Sequence, residues 1–376
     1  MLYITEDSKI RDYFVNKEKV SQSNLKNLAK GVEAYKKLIE QRKESSDFDE
    51  KEPIIIGNIV DTTLFSVGGT AKTAEKYAAV EIAKKPTDTI VVILKALFDK
   101  AKMFGTQNIL FKDIPDDFYN SVLDQVDWYK NRTHASRIET IKKDANSEGY
   151  YNFLIQYADK ICVSEEEYST ANAMIATLQN DSKTKKYFDR EKISANSKID
   201  IYYQLPVYFT YAGIDCKALF DLVVVIKDAS GKQARIIPID LKTTSCFLID
   251  FTAQFKRMRY DIQGAFYSEA FNPDNNPVFD TKGPIKADKD TKIENFRFIV
   301  VSSANPEKVL EVKMDDNLLD IGKYGNYSDN GILWDKGFTT LIDDWKYYAE
   351  HGMEDEKLLK EANYSLNINW KGMYAD

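Results

Sequence analysis

Two consecutive apolar runs between Ala218 and Thr244 constrain the fold of this chain more than any other feature. Leu219–Ile226 is almost wholly apolar, and Arg235–Leu241 carries a second apolar run. Short apolar runs of this kind predict buried β-strands. The polar residues between them include Gly231, which adopts the positive φ of tight turns at little cost. The stretch therefore predicts an antiparallel hairpin.

Each predicted strand carries one acid in surroundings that disfavour a charge, Asp221 in the first and Asp240 in the second. A two-residue loop at Ser230 and Gly231 would place these acids directly opposite one another, with Cβ atoms about 4.5–5.5 Å apart. Lys242 follows Asp240 by two residues and so lies on the same face. Two acids and a lysine on one face suit a hard divalent cation beside a phosphate.

Two alternatives stay open at the level of these residues. Triplets of an acid, any residue and a lysine are common, so the group is equally explained as a salt-bridged cluster on an ordinary hairpin. A loop one residue longer would also remove the direct pairing, because a one-residue slip in register changes which side chains share a face.

The composition indicates a protein without a membrane span. At 376 residues, with 43% hydrophobic and 30% charged residues, the chain suffices for one large domain or two ordinary ones. No apolar run approaches the roughly 18 residues of a membrane span. The opening residues alternate acidic and basic groups, unlike a signal peptide. We therefore expect a cytoplasmic protein with no membrane partner.

The cysteines and histidines exclude other classes of site. Cys162, Cys216 and Cys246 are scattered, which excludes a four-cysteine metal site and favours a reducing compartment. His134 and His351 lie in no motif, so histidine-based catalysis is not expected. The net charge of −7 argues against a protein that coats nucleic acid, although a local basic patch can still bind it.

Two helices are predicted within the first 65 residues. The first opens at Ser21, a good N-cap, and continues through apolar residues at helical spacing. The second spans Asn58–Phe65 and carries Asp61 one turn after Gly57. Asp61 points either to solvent or toward the acids of the hairpin. Residues 68–151 predict a long, mostly helical stretch without a recognised motif.

A further helix is predicted from Asp250 to about Phe271. One face of this helix combines a cation with hydrogen-bonding side chains at helical spacing: Lys256, Tyr260, Gln263 and Tyr267. Two arginines, Arg257 and Arg259, flank this stripe. Three cations in four residues locally reverse the sign of this acidic chain. The stripe is either a DNA-binding surface or a solvated helix face.

The remaining segments complete the predicted secondary structure. Polar residues 272–292 predict a flexible insertion, and Arg297–Ser302 predicts a third strand. A last helix is predicted from aromatic and apolar residues that would pack on the body: Trp334, Phe338, Leu341, Trp345 and Tyr348.

Together these segments resemble the PD-(D/E)XK nucleases, and more narrowly the exonuclease VIII (RecE-type) branch of phage and prophage recombination systems. VSQSNLKNL at residues 20–28 is similar to the opening helix of that family, and IGNIVDTTLF at 56–65 to its glycine-containing helix. GIDCKALFD at 213–221 is similar to the strand with the first metal-binding acid, and IDLKT at 239–243 to the D-x-K core. YDIQGAFY at 260–267 is similar to the Q-x-x-x-Y helix of RecB-like nucleases.

The resemblance implies an α/β fold with a restriction-endonuclease-like core, in which helices flank a central mixed sheet, and a large helical insertion. Residues 1–65 would be the N-terminal helical part of the nuclease domain and 66–155 the helical insertion. Residues 156–310 would form the PD-(D/E)XK core. Residues 311–376 would form a C-terminal helical extension packing on that core.

The resemblance also implies a site that binds Mg²⁺ or Mn²⁺. Asp221, Asp240 and the backbone carbonyl of Leu241 would be ligands, and with Lys242 the two acids would be the catalytic residues. Further candidate ligands stand where the family often has other residues. Asp61 replaces a histidine or glutamate, and Gln204 replaces a glutamate.

The residues that the resemblance assigns to DNA contacts are Gln263, Tyr267, Tyr260, Lys256, Arg257, Arg259, Thr243 and Thr244. The implied activity is a 5′ to 3′ exonuclease acting on linear double-stranded DNA ends in phage-type recombination or DNA processing. The implied partners are a single-strand annealing protein and further copies of the chain in a ring, in the bacterial host cytoplasm if the protein is phage-encoded.

Two other functions are compatible with the same residues. One is a structure-specific endonuclease, because a fold does not determine where DNA is cut. The other is a catalytically weakened module that binds DNA or another protein. Gln204 favours the latter, since its neutral carbonyl adds no charge to a metal site.

Overall fold

The computed structural model of the chain describes residues 1–44, 52–80, 86–126, 128–157, 160–275, 285, 287, 289–327 and 333–352. The chain forms two compact units. One comprises Met1–Val67 with Ala173–Asp376, and the other is Gly68–Asn172. The insertion was predicted for residues 66–155, whereas the second unit begins at Gly68 and ends at Asn172. Among the described residues, no helix is both long and apolar enough to cross a membrane.

The strands, in chain order, are β1 (Leu2–Ile4), β2 (Val20–Ser21), β3 (Tyr77–Ala79), β4 (Ile161–Val163), β5 (Ile199–Tyr211), β6 (Ile214–Lys227), β7 (Gln233–Thr244), β8 (Lys292–Ile293), β9 (Arg297–Ser302), β10 (Asn305–Lys313), β11 (Gly325–Tyr327) and β12 (Leu333–Lys336). The helices are α1 (Asp7–Val15), α2 (Gln22–Leu28), α3 (Val32–Glu44), α4 (Glu52–Phe65), α5 (Gly69–Lys76), α6 (Asp88–Met103), α7 (Asp116–Leu123), α8 (His134–Lys143), α9 (Ser147–Tyr157), α10 (Glu165–Asn180), α11 (Lys185–Phe188), α12 (Arg190–Ala195), α13 (Phe251–Arg257), α14 (Tyr260–Glu269), α15 (Asp316–Tyr324) and α16 (Phe338–His351).

One sheet of the first unit organises the candidate site. Its strand order is β1-β5-β6-β7-β9-β10, with β2 also paired to β6 and β8 to β7. The β5–β6, β6–β7 and β9–β10 pairs are antiparallel, whereas β1–β5 and β7–β9 are parallel. Helices flank this sheet. The predicted α/β class, with a central mixed sheet flanked by helices, is therefore confirmed.

Buried side chains join this sheet to α2, α14 and α16. Leu25, Phe266 and Leu341, one from each helix, are completely buried in one cluster with Phe220 and Phe298 of the sheet. Burying a side chain of this size contributes about 1.5–3 kcal/mol. The packing thus fixes the opening helix and the Q-x-x-x-Y helix against the strands that carry the acids.

The central hairpin has the predicted register but a different loop. Its last regular pair toward the acids is Leu222 with Ile239, as a two-residue loop requires. The connection is nevertheless longer and spans residues 228–232. A bulge between Ile226 and Lys227 takes up the difference and restores the register.

The helix predicted for residues 250–271 is two helices, α13 and α14. Between them Arg259 adopts the left-handed conformation, with φ 50°. Its guanidinium donates to both carboxylate oxygens of Asp261, at 3.1 and 2.9 Å, and to the carbonyl of Lys336 at 2.9 Å. These bonds stabilise the break, so Lys256 does not continue the face of α14.

Three other predicted segments differ in their bounds. The opening helix starts at the predicted cap Ser21 but ends at Leu28, and α3 resumes after Gly31, whose φ is 115°. Trp334 lies in β12 and not in the last helix. Of the insertion predicted for 272–292, residues 276–284, 286 and 288 lie outside the described residues.

The second unit is mostly helical and has a core of its own. Leu94 and Leu97 of α6 pack there with Tyr119 of α7 and Tyr151 of α9. Its two short strands, β3 and β4, pair in parallel. This unit contributes none of the predicted site residues.

Candidate active site

The candidate site lies where β6 and β7 separate, immediately beyond the pair of Leu222 with Ile239. Asp221 of β6 is the residue next to this last pair with β7. Its two carboxylate oxygens accept hydrogen bonds from the neighbouring strands. The amide of Leu241 donates to Oδ2 at 2.8 Å, and Gln204 Nε2 donates to Oδ1 at 3.0 Å. The acid thus lies between β5 and β7.

Asp240 lies on β7 and is only 4% exposed. Gln263 Nε2 of α14 donates to its Oδ1 at 2.6 Å. Lys242 Nζ lies 2.6 Å from its Oδ2, in an orientation that leaves this oxygen without a directed hydrogen bond. The structure thus brings together the D-x-K segment and the Q-x-x-x-Y helix.

The backbone of Gln204 is exceptional at this point. Gln204 adopts the left-handed conformation, with φ 51°, and is missing from the β5–β6 pairing although its neighbours Tyr203 and Leu205 pair regularly. A left-handed residue other than glycine costs about 1–3 kcal/mol and is typical of functional sites. Here the distortion places the side-chain amide of Gln204 on Asp221.

Helix α14 forms one wall of the site. Lys242 Nζ lies 4.9 Å from the centroid of the Tyr260 ring and 5.9 Å from that of Phe298. Tyr267 is buried, and its hydroxyl accepts from the amide of Leu219 at 3.4 Å. Tyr260, Gln263 and Tyr267 are each less than 7% exposed, so they line the interior of the site and do not form an open DNA-binding stripe.

The predicted basic residues divide between two situations. Lys256 and Arg257 are exposed at the end of α13. Arg259, in contrast, is half-buried and paired with Asp261. Thr243 is half-buried, whereas Thr244 is buried and its hydroxyl donates to Gln254 Oε1 at 2.5 Å.

Asp61 belongs to the site through the close packing of α4 on β7. A Cβ at Gly57, one turn earlier, would lie only 2.7 Å from Thr243 Oγ1, so this close approach requires glycine. Burial, reinforced by the charge of Asp240, raises the pKa of Asp61 to about 7, and Lys242 opposes this rise. Asp61 is half-buried, and its charge interacts with those of Asp240 and Lys242.

Crowding of negative charge dominates the electrostatics. Burial raises the pKa of Asp221 well above its usual range, and the charges of Asp240 and Asp61 act in the same direction. Burial alone would lower the pKa of Lys242, but Asp240 and other neighbours hold it above its usual value. Lys242 thus interacts with Asp240, Asp221 and Asp61.

The donor set fits a hard divalent cation. Gln263 Oε1 is a buried oxygen without a hydrogen-bond partner, and burial together with the charges of Asp240 and Asp61 raises the pKa of Asp221 even though Lys242 lies nearby. Within the described part of the chain, no three Asp, Glu, His or Cys side chains are arranged as a cage for a metal. Mg²⁺ needs no such cage, because it usually takes one or two protein carboxylates and keeps several waters.

Lys26 is a residue of this site that the sequence did not single out. It lies on α2, within the segment that resembles the opening helix of the family, and its Nζ lies 4.8 Å from the centroid of the Tyr260 ring. Its only sequence signal was its position beside the apolar residues Leu25 and Leu28, which fix the helix but do not mark a functional lysine.

The comparisons with known proteins add little to this geometry. No family model matches the sequence, and no curated protein matches it significantly. A solved structure similar to this chain is a "putative exonuclease" from Eubacterium rectale, with a TM-score of 0.38 and 13% sequence identity, covering 84% of this chain and 80% of that one. A TM-score of this size does not establish a shared fold.

Proposed function

We propose that this chain is a metal-dependent deoxyribonuclease that degrades linear double-stranded DNA from its ends, in the 5′ to 3′ direction. The observation that carries the proposal is the convergence on Asp240 of Lys242 and Gln263, with Asp221 and Asp61 close enough to perturb one another. A lysine among crowded acids suits a reaction in which a cation and a phosphate enter together.

Asp221, Asp240 and the backbone carbonyl of Leu241 would hold Mg²⁺ or Mn²⁺, with Asp61 as a further ligand. The bound ion would supply an activated water and neutralise charge that develops on the phosphate. Against the effect of burial, Asp240 and other neighbours raise the pKa of Lys242 and favour its charged form. Lys242 would orient the water or help to deprotonate it and would neutralise charge on the phosphate. To move from Asp240 to the phosphate, the side chain of Lys242 would have to rotate.

Gln263 positions Asp240 in this proposal. Its amide donates to Asp240 Oδ1, which holds the carboxylate in place and leaves Oδ2 toward Lys242. Gln204 acts in the same way on Asp221 Oδ1, and as a neutral group it adds no negative charge. Partners that orient metal-binding carboxylates in this way commonly tune metal affinity.

The DNA path would run past the exposed end of α13. Lys256 and Arg257 lie there, and cations at such a position contact backbone phosphates without reading sequence. A local basic patch at this end of α13 would attract DNA to the site although the chain has a net charge of −7. A single-strand annealing partner and a ring of copies belong to the same proposal.

The test compares linear and closed circular duplex DNA incubated with the protein and Mg²⁺, with EDTA as the control. Loss of the linear form alone is expected, and labels on the 5′ or 3′ end then report the direction. Loss of both forms would indicate that the protein is an endonuclease and not an exonuclease. Loss of neither, with a protein that is folded by circular dichroism, would contradict nuclease function.

One observation favours a second candidate, a DNA-binding module with weakened catalysis. Three of the four carboxylate oxygens of Asp221 and Asp240 accept hydrogen bonds from protein groups, and the fourth faces Lys242. A cation must displace some of these donors to bind. Duplex binding without cleavage at saturating Mg²⁺ or Mn²⁺ would support this candidate.

A further inference from the structure

Lys26 and Lys242 share one aromatic wall of the site. Lys26 Nζ lies 4.8 Å and Lys242 Nζ 4.9 Å from the centroid of the Tyr260 ring. Tyr260 is buried and fixed against Phe251 and Phe298, with ring centroids 5.9 and 5.5 Å away. A ring held in this way attracts both ammonium groups and limits where they can lie.

Lys26 has no carboxylate partner among the described residues. The acids whose charges reach it are engaged elsewhere: Asp240 lies 2.6 Å from Lys242, and Asp261 lies 2.9 Å from Arg259. A half-buried ammonium without a counter-ion is unfavourable in the fold. A counter-charge from outside the described chain would remove this cost.

The electrostatic surroundings of Lys26 agree with this geometry. Burial lowers the pKa of Lys26 to about 7, and the charges of Lys242 and Lys30 act in the same direction against those of Asp240 and Asp261. An anion between the two ammonium groups would relieve their repulsion and favour the charged form of Lys26.

We propose that Lys26 is a substrate-positioning residue that binds a backbone phosphate of DNA adjacent to the phosphate held at Lys242. The inference rests on the proposed nuclease function. A phosphodiester strand fits two neighbouring lysines because its single negative charges recur at intervals of several Å along the backbone. Lysine suits this role because its ammonium attracts a phosphate as a point charge. Engaging two successive phosphates would align the strand before cleavage.

Binding measurements test the proposal with Lys26→Met, Lys26→Arg and, as a matched control, Lys30→Met, which removes an exposed lysine just beyond the end of α2. Affinity for a short linear duplex is measured over a range of salt with Ca²⁺ in place of Mg²⁺. Lys26→Met should weaken binding about tenfold and reduce the salt slope by about one. Lys26→Arg should restore both values, and Lys30→Met should leave them unchanged.

Cleavage with Mg²⁺ separates positioning from a structural role. Lys26→Met should raise KM about tenfold with a smaller change in kcat, because the contact precedes chemistry. Lys26→Gln supplies a second test if the methionine variant does not fold. Suppose that the wild-type protein cleaves DNA and that a folded Lys26 variant has the same affinity, salt slope and KM. This result would overturn the inference about Lys26 and leave the nuclease proposal standing. A wild-type protein that neither binds nor cleaves DNA would overturn the nuclease proposal and the role of Lys26 together.

Discussion

The two ends of the β6–β7 hairpin hold aspartates in opposite situations. At the loop end, Asp228 is exposed and its Oδ1 accepts hydrogen bonds from the amide and hydroxyl of Ser230, at 2.9 and 2.7 Å, and from the amide of Lys232 at 3.0 Å. The side-chain bond to Ser230 and these amides lower the pKa of Asp228. This acid is matched to its surroundings and stabilises the turn.

At the other end, the acids are crowded and half-buried or buried. Burial and mutual repulsion raise the pKa values of Asp221 and Asp61. The same residue type thus stabilises one end of the hairpin and carries unmatched charge at the other. The comparison teaches that an electrostatic mismatch within a well-packed sheet marks a site prepared for a charge that the chain itself does not supply.

The largest expected difference between the two ends is in activity. Asp240→Asn and Lys242→Ala should each lower cleavage by at least about 10²–10³-fold, the usual effect of removing one electrostatic group from a reaction site. Asp228→Asn is the matched control and should cleave like the wild type. Equal activity of the Asp240 and Asp228 variants in a linear-duplex assay would remove the hairpin from the mechanism.

The second-largest effect is expected for Gln263, whose side-chain amide donates to Asp240. The sequence predicted that Gln263 contacts DNA and not the ion, but the structure places it on Asp240. Gln263→Ala should therefore weaken activation by Mg²⁺ about 10–100-fold. Gln263→Glu should be worse, because it sets a second carboxylate against the first. Titration of cleavage against Mg²⁺ measures the effect, and an unchanged midpoint in both variants would contradict it.

A smaller effect is expected on stability, and it depends on pH. Because the folded pKa of Asp61 is raised to about 7, the native state binds its proton more tightly than the unfolded state. Its contribution to stability is therefore lost as pH rises from about 4 through 7. Asp61→Asn should raise the melting temperature of the metal-free protein by about 2 °C at pH 8 and leave it unchanged at low pH.

Asp228→Asn provides the opposite sign in the same measurement. Its folded pKa is lowered, so its stabilisation is present above its ordinary pKa and is lost in acid. This variant should melt at a lower temperature than the wild type at pH 8. Excess Mg²⁺ should reverse the advantage of Asp61→Asn, since a charged carboxylate holds the ion more strongly than a neutral amide. If Asp228→Asn instead melted at a higher temperature than the wild type at pH 8, the two ends of the hairpin would not differ as proposed.

The smallest expected effect concerns the exposed cations beside the site. Lys256→Ala with Arg257→Ala should weaken duplex binding several-fold, equally for all sequences, and flatten its salt dependence. Arg259→Ala should instead lower the melting temperature, because it leaves Asp261 unpaired and releases the left-handed break. Affinity against salt with Ca²⁺ distinguishes the two. An unchanged slope in the double variant would place the DNA path elsewhere.

The hairpin was accessible from sequence because its signal is local. Apolar runs identify β6 and β7, and alternation along β7 places Asp240 and Lys242 on one face. The predicted register is correct although the predicted loop is not. The bulge beside Lys227 compensates for the longer loop, and bulges leave no clear trace in a single sequence.

The helix after the hairpin shows where local signals fail. Apolar spacing runs through residues 250–271 without interruption, yet the chain breaks at Arg259. The break is stabilised by Asp261 and by the carbonyl of Lys336, which is distant in sequence. The sequence therefore predicted one exposed stripe, whereas Tyr260, Gln263 and Tyr267 face the interior.

By itself the sequence determined the fold class, the strands that carry Asp221 and Asp240, and the face that they share with Lys242, because these follow from hydrophobic period and chain order. Only the tertiary structure decided that Asp61 and Lys26 face the same site. Their helices carry ordinary apolar patterns, and a helix can dock on a sheet in several rotations about its axis. Long-range packing, such as the close contact of Gly57 with Thr243, selects one of them.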